Sequence, residues 1–296
     1  MSNLEISRAE RLDQYVVSIL PLLSRSFATK LINDGKATIN GKVVTKGGTK
    51  LRDGDVVEVD YSPEKFVIPE IELPVLYEDD DCVVIIKPIG LLTHSKGAFN
   101  PEASVATWLH HRLGPDLRKM DEDEYRPNAR AGIVHRLDRA TSGVMICAKT
   151  PAALKWLQKQ FSQRKTQKTY AAIVSGQLDQ DHAIIDMPIE RNPKKPQTFR
   201  VGVNGKHAVT EYTVLAATNE VSEVELKPQT GRTHQLRVHL SQLGNPIVGD
   251  VLYGGKPAER MYLHAEKLEL TLPNRNREVF TAPIPAEFKA YIKQHG

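Results

Sequence analysis

The run AGIVHRLDRATSGVMICAKT, residues 131–150 of 296, is the most informative stretch of the chain for chemistry. It sets one carboxylate, Asp138, between Arg136 and Arg139, with His135 just before and Thr141, Ser142 and Gly143 just after. The apolar segments GIV and GVMICA on either side read as short strands, which leaves the charged residues in the turn between them. Cationic neighbours favour the charged form of an acid, so Asp138 is expected to stay ionised. Such a group is a poor acid but can act as nucleophile or base. The commoner fate of an aspartate in a turn is to cap it, and these residues alone leave both readings open.

Two further stretches carry polar groups in a suggestive pattern: QKTYAAIVSG, residues 167–176, and LKPQTGRTHQLRVHLSQLGNPIVGDVLYGG, residues 226–255. A helix starting near Thr233 would bury Leu236, Leu240 and Leu243, spaced four and three, and leave Arg237 beside that stripe, free to point into a cleft. For Arg237 and for Arg232 the ordinary alternative is a surface salt bridge worth about 0 to 1 kcal/mol.

Other chemistries lack their residues. His234 and His239 lie five apart, off a common helical face, and neither HExxH nor Cys/His ligand spacing occurs, so no metal is expected. No glycine-rich nucleotide loop is present, and no cofactor is expected. A glycosidase would need two facing carboxylates, and only Asp138 has a suitable setting. The acids at 121–124 read as an exposed loop, since consecutive carboxylates do not converge on one ion. Cys82 and Cys147 sit in apolar runs and read as buried thiols.

The elements that must hold these residues divide into two domains. From Arg8 to Tyr61 the pattern is two helices, one through Leu12, Tyr15, Val16 and Ile19 and one opening at Ser24 with Phe27, Leu31 and Ile32, stopped at Asp34-Gly35. Short strands follow, with Asn40-Gly41 as a hairpin turn. Residues 62–74 hold three prolines and no helical period, and read as a linker. The run CVVII, bounded by acids and Pro88, then opens a larger α+β domain as a buried strand. The domains are thus expected at 1–65 and 75–296, with 66–74 as linker. Net charge is +4, and residues 151–207 carry ten Lys/Arg against four acids, an excess that suits an anionic partner or a plain solvated surface. No apolar stretch approaches the length of a membrane span, so a cytoplasmic protein with no membrane partner is expected, with a monomer as the default.

RLDQYV, PLLSRSFATKLINDGKATINGKVV and LRDGDVVEV together resemble the S4 RNA-binding domain. The resemblance implies RNA contacts from the second helix and its turn, here Ser24, Arg25, Ser26 and Lys30, with Arg11 nearby. HRLDRATSG resembles the signature of RluA-type pseudouridine synthases, and the two stretches at 167–176 and 226–255 resemble that family's later motifs in the expected order. Ala140, where many relatives carry an acid, and His94-Ser95-Lys96-Gly97, where relatives commonly read HPG, depart from the pattern. The resemblance implies a small S4 domain followed by a synthase domain with a mixed, mainly antiparallel sheet and flanking helices. It implies Asp138 as the catalytic carboxylate, Tyr170 as the active-site tyrosine and Arg237 as the basic partner, with Arg232 as the other candidate. His135, Arg136, Arg139, Arg232 and Leu236 would contact substrate. That substrate would be RNA, with large-subunit ribosomal RNA ahead of transfer RNA, and the chemistry would need neither metal nor cofactor. A non-catalytic RNA-binding protein of ribosome assembly is the rival.

Overall fold

The computed structural model describes residues 10–20, 23, 25–61, 69–94, 102–113 and 132–295. Ser24, residues 95–97, the acids at 121–124 and most of the proline-rich segment fall outside this set. Two compact units emerge: Met1–Glu72 with His94–Ala131, and Leu73–Thr93 with Gly132–Gly296. The described residues 94 and 102–113, expected with the larger domain, therefore group with the first unit.

In the first unit helices α1 (Leu12–Ile19) and α2 (Arg25–Asn33) precede strands β1 (Ala37–Ile39), β2 (Lys42–Val43) and β3 (Val57–Val59); α3 spans Val105–Leu113. Leu12, Val16, Phe27, Leu31 and Ile32 are buried together with Ala37 and Leu51, so the helical period expected from the sequence does face a core. The β1–β2 turn has positive φ at both Asn40 (53°) and Gly41 (74°), the backbone such a two-residue hairpin demands. Asp13 is buried in α1, yet Arg11 and Arg25 both donate to it, with Nε atoms at 3.0 and 3.1 Å. Burial pushes the Asp13 pKa up, but the two guanidinium groups outweigh it and hold the carboxyl below its usual range.

The second unit is built on one sheet. Its strands are β4 (Val75–Glu78), β5 (Cys82–Lys87), β6 (Ser142–Ala148), β7 (Gln167–Ser175), β8 (His182–Asp186), β11 (Val209–Ala217), β12 (Val221–Pro228), β13 (Leu263–Thr271) and β14 (Arg277–Thr281). Strands β9 (Ile189–Arg191) and β10 (Phe199–Val201) pair separately. The spatial order is β4-β5-β6-β13-β7-β12-β11-β8, with β14 on the far half of β13. Every pairing in the sheet is antiparallel except β6 with β13, which is parallel at Ser142–His264 and Gly143–Ala265.

Helices α4 (Pro151–Ser162), α5 (Gln235–Gln242) and α6 (Ala286–Gln294) complete the unit. Helix α4 starts as its sequence dictates: the Thr150 hydroxyl accepts from the Ala153 N–H, and Pro151 takes the first turn, where its missing donor costs nothing. All seven residues of β6 are buried, and in β5 only Ile86 is partly exposed, which is why CVVII and GVMICA read as unbroken apolar runs. The GIV segment is less than a strand: Ile133 forms a lone bridge to Cys147. Cys82 and Cys147 are free and buried, and burial pushes the Cys147 thiol up to about 12.

Candidate active site

Asp138 lies in the loop that enters β6, and the backbone on both sides of it is pinned. The Thr93 hydroxyl donates to the Leu137 carbonyl at 2.8 Å and accepts from the Leu137 N–H at 3.3 Å. The Arg139 carbonyl accepts from the Gly90 N–H at 2.8 Å and from the fully buried Lys87 ammonium at 3.4 Å. That ammonium also donates to the carbonyls of Pro88 and Leu91, at 2.9 and 2.8 Å. Burial draws the Lys87 pKa down to about 8, against the pull of the Asp138 charge. The loop is therefore a rigid mount for one carboxylate.

The guanidinium opposite that carboxylate belongs to Arg237, whose Nη1 lies 3.4 Å from Asp138 Oδ2. Helix α5 begins two residues before it, after His234 has turned the chain through the left-handed region at φ 57°. Leu236 and Leu240 are buried as their spacing predicts, whereas Leu243 is 36% exposed because the helix ends at Gln242 and Leu243 caps it. Arg237 is itself buried, and a second acid makes that tolerable: Asp250 accepts from Nε at 2.7 Å and from Nη2 at 2.8 Å. Burial opposes the Arg237 charge, but the Asp250 bonds and the charges of Asp250 and Asp138 hold its pKa above the ordinary value. The guanidinium also lies 4.8 Å from the centre of the Tyr253 ring. His234 Nδ1 meets the Tyr253 hydroxyl at 2.7 Å and its Nε2 stands 3.8 Å from Asp138. Burial keeps that imidazole below its ordinary pKa, despite the nearby carboxylate.

This arrangement makes Asp250 a handle on Arg237. In an Asp250→Asn protein the amide offers one acceptor in place of two and leaves the buried guanidinium short of charge. Stability is expected to fall by about 3 kcal/mol in urea titrations. Turnover is expected to fall about 100-fold at saturating substrate, because an aligned group has been set loose. Wild-type turnover in this variant would remove the handle.

Around these groups lies a cavity of about 600 Å³. His135, Arg136, Leu137, Asp138, Tyr170, Arg232, Leu236 and Arg237 line it, as do Arg164, Lys168 and the turn from Pro228 to His234. Arg139, expected at the substrate, is not among the lining residues; it is exposed and its Nε donates to the Gly90 carbonyl at 2.9 Å. Arg232 reaches the rim, where its Nε bonds the His207 carbonyl at 3.0 Å. The Tyr170 phenol is pushed up by burial and by the Asp138 charge, so it stays neutral. Of the basic run at 151–207, Arg164 and Lys168 line the cavity.

His135 is partly committed to the fold. Its Nε2 accepts from the Ile146 N–H at 3.1 Å and its ring stacks on Phe161 at 4.5 Å. Burial, and then Lys168, lower its pKa to about 3, and burial lowers that of His264 to about 4. As pH falls below about 6.5, the unfolded chain protonates both rings while the folded chain does not. Stability is therefore expected to drop from pH 6.5 toward pH 4, by up to about 1.4 kcal/mol per pH unit for each ring. A urea midpoint that stays constant between those values would refute this.

Comparison with known proteins matches this chain to a family. A family model described as RNA pseudouridylate synthase matches residues 81–242, and one described as S4 domain matches residues 10–57. The chain belongs to the RNA pseudouridylate synthase family. It is 40% identical over 266 residues to an RNA pseudouridine synthase of Aquifex aeolicus, covering 87% of this chain and 82% of that one. It is 35% identical over 301 residues to the ribosomal large subunit pseudouridine synthase D of Vibrio parahaemolyticus, covering 95% and 89%. The solved human RNA pseudouridylate synthase domain containing 1 superposes with a TM-score of 0.58 at 29% identity, covering 72% of this chain and 83% of that one.

As a pseudouridylate synthase the protein is an isomerase acting on RNA, and its S4 domain is a second RNA-facing part. Arg11, Arg25, Ser26 and Lys30 are all exposed on that domain, Ser26 and Lys30 one helical turn apart. Among the described residues no group of three or more His, Cys, Asp or Glu could hold a metal, and no helix is long and apolar enough to cross a membrane. Four site residues of this synthase escape sequence reasoning: Lys87, Thr93, Asp250 and Tyr253. Asp250 had a signal, since it is the one acid in the 30 residues from Leu226 to Gly255 that also carry Arg237.

Proposed function

We propose that the chain converts specific uridines of large-subunit ribosomal RNA to pseudouridine, with Asp138 as the reacting carboxylate. The observation that carries this is Asp138 on a pinned loop, facing the cavity, 3.4 Å from an arginine that a second acid orients. The relatives named for the large ribosomal subunit, similar over nearly the whole chain, support the substrate.

The reaction breaks the C1′–N1 bond, turns the uracil and joins C5 to the same C1′, so the pocket must retain a detached base. The target uridine must leave its stack, at a cost of a few kcal/mol that pocket contacts recover. Asp138 either attacks C1′ or removes the C2′ proton; an ionised carboxylate serves both routes, and Arg237 orients it. Tyr170, which lines the cavity with Asp138, stacks on the uracil and assists loss of the C5 proton. Leu236 packs at the pocket wall, Arg136 and Arg232 meet flanking phosphates, and His135, its imidazole neutral near pH 7, serves as a surface for a neighbouring base. The catalytic domain is built on residues 75–93 and 132–296, and residues 1–65 hold the S4 domain, of a cytoplasmic, monomeric enzyme.

Tritium release from RNA labelled at uracil C5 tests the reading. Release is expected from large-subunit ribosomal transcripts and not from transfer RNA; the reverse would replace the substrate, and none from either would leave a binding protein. In the S4 domain, Arg11 and Arg25 share Asp13 and keep their outer edges exposed, 46% and 53% by side chain. Replacing both by alanine is expected to weaken RNA binding and to flatten its salt dependence by about two ions. An unchanged salt slope would show that these edges do not meet phosphate.

A further inference from the structure

The geometry points to Lys168 as the group that stabilises the uracil anion when the base leaves the sugar. This rests on the pocket being the uridine site. Lys168 and Tyr170 are two residues apart on β7, so both side chains leave the same face of the strand, and both line the cavity. The Lys168 ammonium reaches across to the turn after β12, donating to the Thr230 carbonyl at a long 3.4 Å. No carboxylate among the described residues pairs with it, and Asp138 is faced by Arg237. Burial alone pulls its pKa down to about 8, so the position costs the free protein something that an anionic ligand would return.

A backbone phosphate is the other anion the substrate carries. The cations suited to it stand at the rim: Arg136 and Arg164 are exposed and Arg232 is half-exposed, all on the cavity. Lys168 instead shares its face with the tyrosine whose phenol feels the Asp138 charge. The reacting base, not the strand, is what enters that far.

When the C1′–N1 bond breaks, its electron pair leaves with uracil and spreads over N1 and the two carbonyl oxygens. The charge is the same whether Asp138 has bonded C1′ or has taken the C2′ proton. An ammonium hydrogen-bonded to one of those oxygens holds the charge without giving up its proton. It lets go once C5 bonds to C1′, as Asp138 leaves C1′ or returns the C2′ proton, because that bond uses up the charge; loss of the C5 proton is then matched by a proton gained at N1. Donors aimed at charge that develops during reaction are worth the most in a site closed to water.

The experiment compares wild type, Lys168→Met, Lys168→Gln and Lys168→Arg in single turnover, on a transcript that wild type isomerises and on the same transcript carrying 5-fluorouridine. Because uridine and pseudouridine have the same mass, and the fluorinated base has no C5 proton to shed, the rate is read on both transcripts as loss of the starting nucleoside from digested RNA, after chromatographic separation. Fluorine makes uracil a better leaving group, so the ammonium matters less. Met and Gln are expected to slow the uridine reaction by about 100-fold or more, with Arg recovering part. RNA affinity should stay within about threefold. The deficit on the fluorinated transcript should be about tenfold smaller. Thermal midpoints should not fall, since a desolvated charge has been removed. Equal deficits on both transcripts would overturn the assignment. So would a weaker affinity whose salt slope is flatter by about one ion, with an unchanged rate at saturation, because Lys168 would then be a phosphate contact. Failure of wild type on ribosomal RNA would instead concern the substrate, which is a separate result.

Discussion

In an Asp138→Asn protein, tritium release is expected to fall by about 10⁴-fold or more, while RNA affinity stays within about threefold. The amide has the size of the carboxylate but can neither bond C1′ nor accept the C2′ proton. Arg237 is not orphaned by the change, because Asp250 holds it through two bonds. The loop is pinned through the backbone of Leu137 and Arg139, which the substitution leaves alone. Stability should therefore hold, and the loss would be one of chemistry. Release at a tenth of the wild-type rate, measured on the same transcript, would remove Asp138 from its assigned role.

Gly143→Ala should have a large effect on the fold. Gly143 has φ +126°, and a Cβ there would overlap the backbone of Ala265, its partner across the parallel β6–β13 pair. Both obstacles are main chain, so nothing can swing aside. A loss of about 3 kcal/mol or more is expected from urea unfolding, together with loss of activity, since the Asp138 loop runs directly into this pair. Gly244→Ala is the control: its φ is +86° but nothing stands within 4 Å, so it should cost only about 1 kcal/mol of backbone strain. Equal costs for the two would show that the approach at Gly143 is looser than described.

The same glycine illustrates what a sequence discloses. HRLDRATSG is recognisable as a signature, but the packing reason for its last residue lies 122 residues away, and alternation along one strand cannot report a partner that distant. Asp138 was legible because a lone acid between arginines is an unusual local pattern. The sequence left Arg237 and Arg232 as alternatives; the fold sets Arg237 against Asp138 and reveals Asp250, which must cross from a turn after α5 to reach it. Leu243 misled because a period of three and four does not say where a helix stops. Arg139 misled because neighbours in a turn point to different sides: Asp138 enters the cavity and Arg139 returns to Gly90. In the S4 domain the helices and the Asn40-Gly41 turn were readable from local chemistry, whereas the sharing of Asp13 by Arg11 and Arg25 depends on two helices packing together.

The strand wedged between β6 and β7 is the penultimate one in the chain. Every residue placed at the site is already synthesised by position 253, but the carboxylate before β6 and the tyrosine on β7 have no common frame until β13 is inserted. Long-range closure of this kind is slow compared with the hairpins on either side of it. A nascent chain should thus emerge with the S4 module able to fold early and remain inert as an enzyme until almost its whole length has left the ribosome. Truncated chains ending near residue 256 would then bind RNA without isomerising it, and activity would arrive only in chains that include β13.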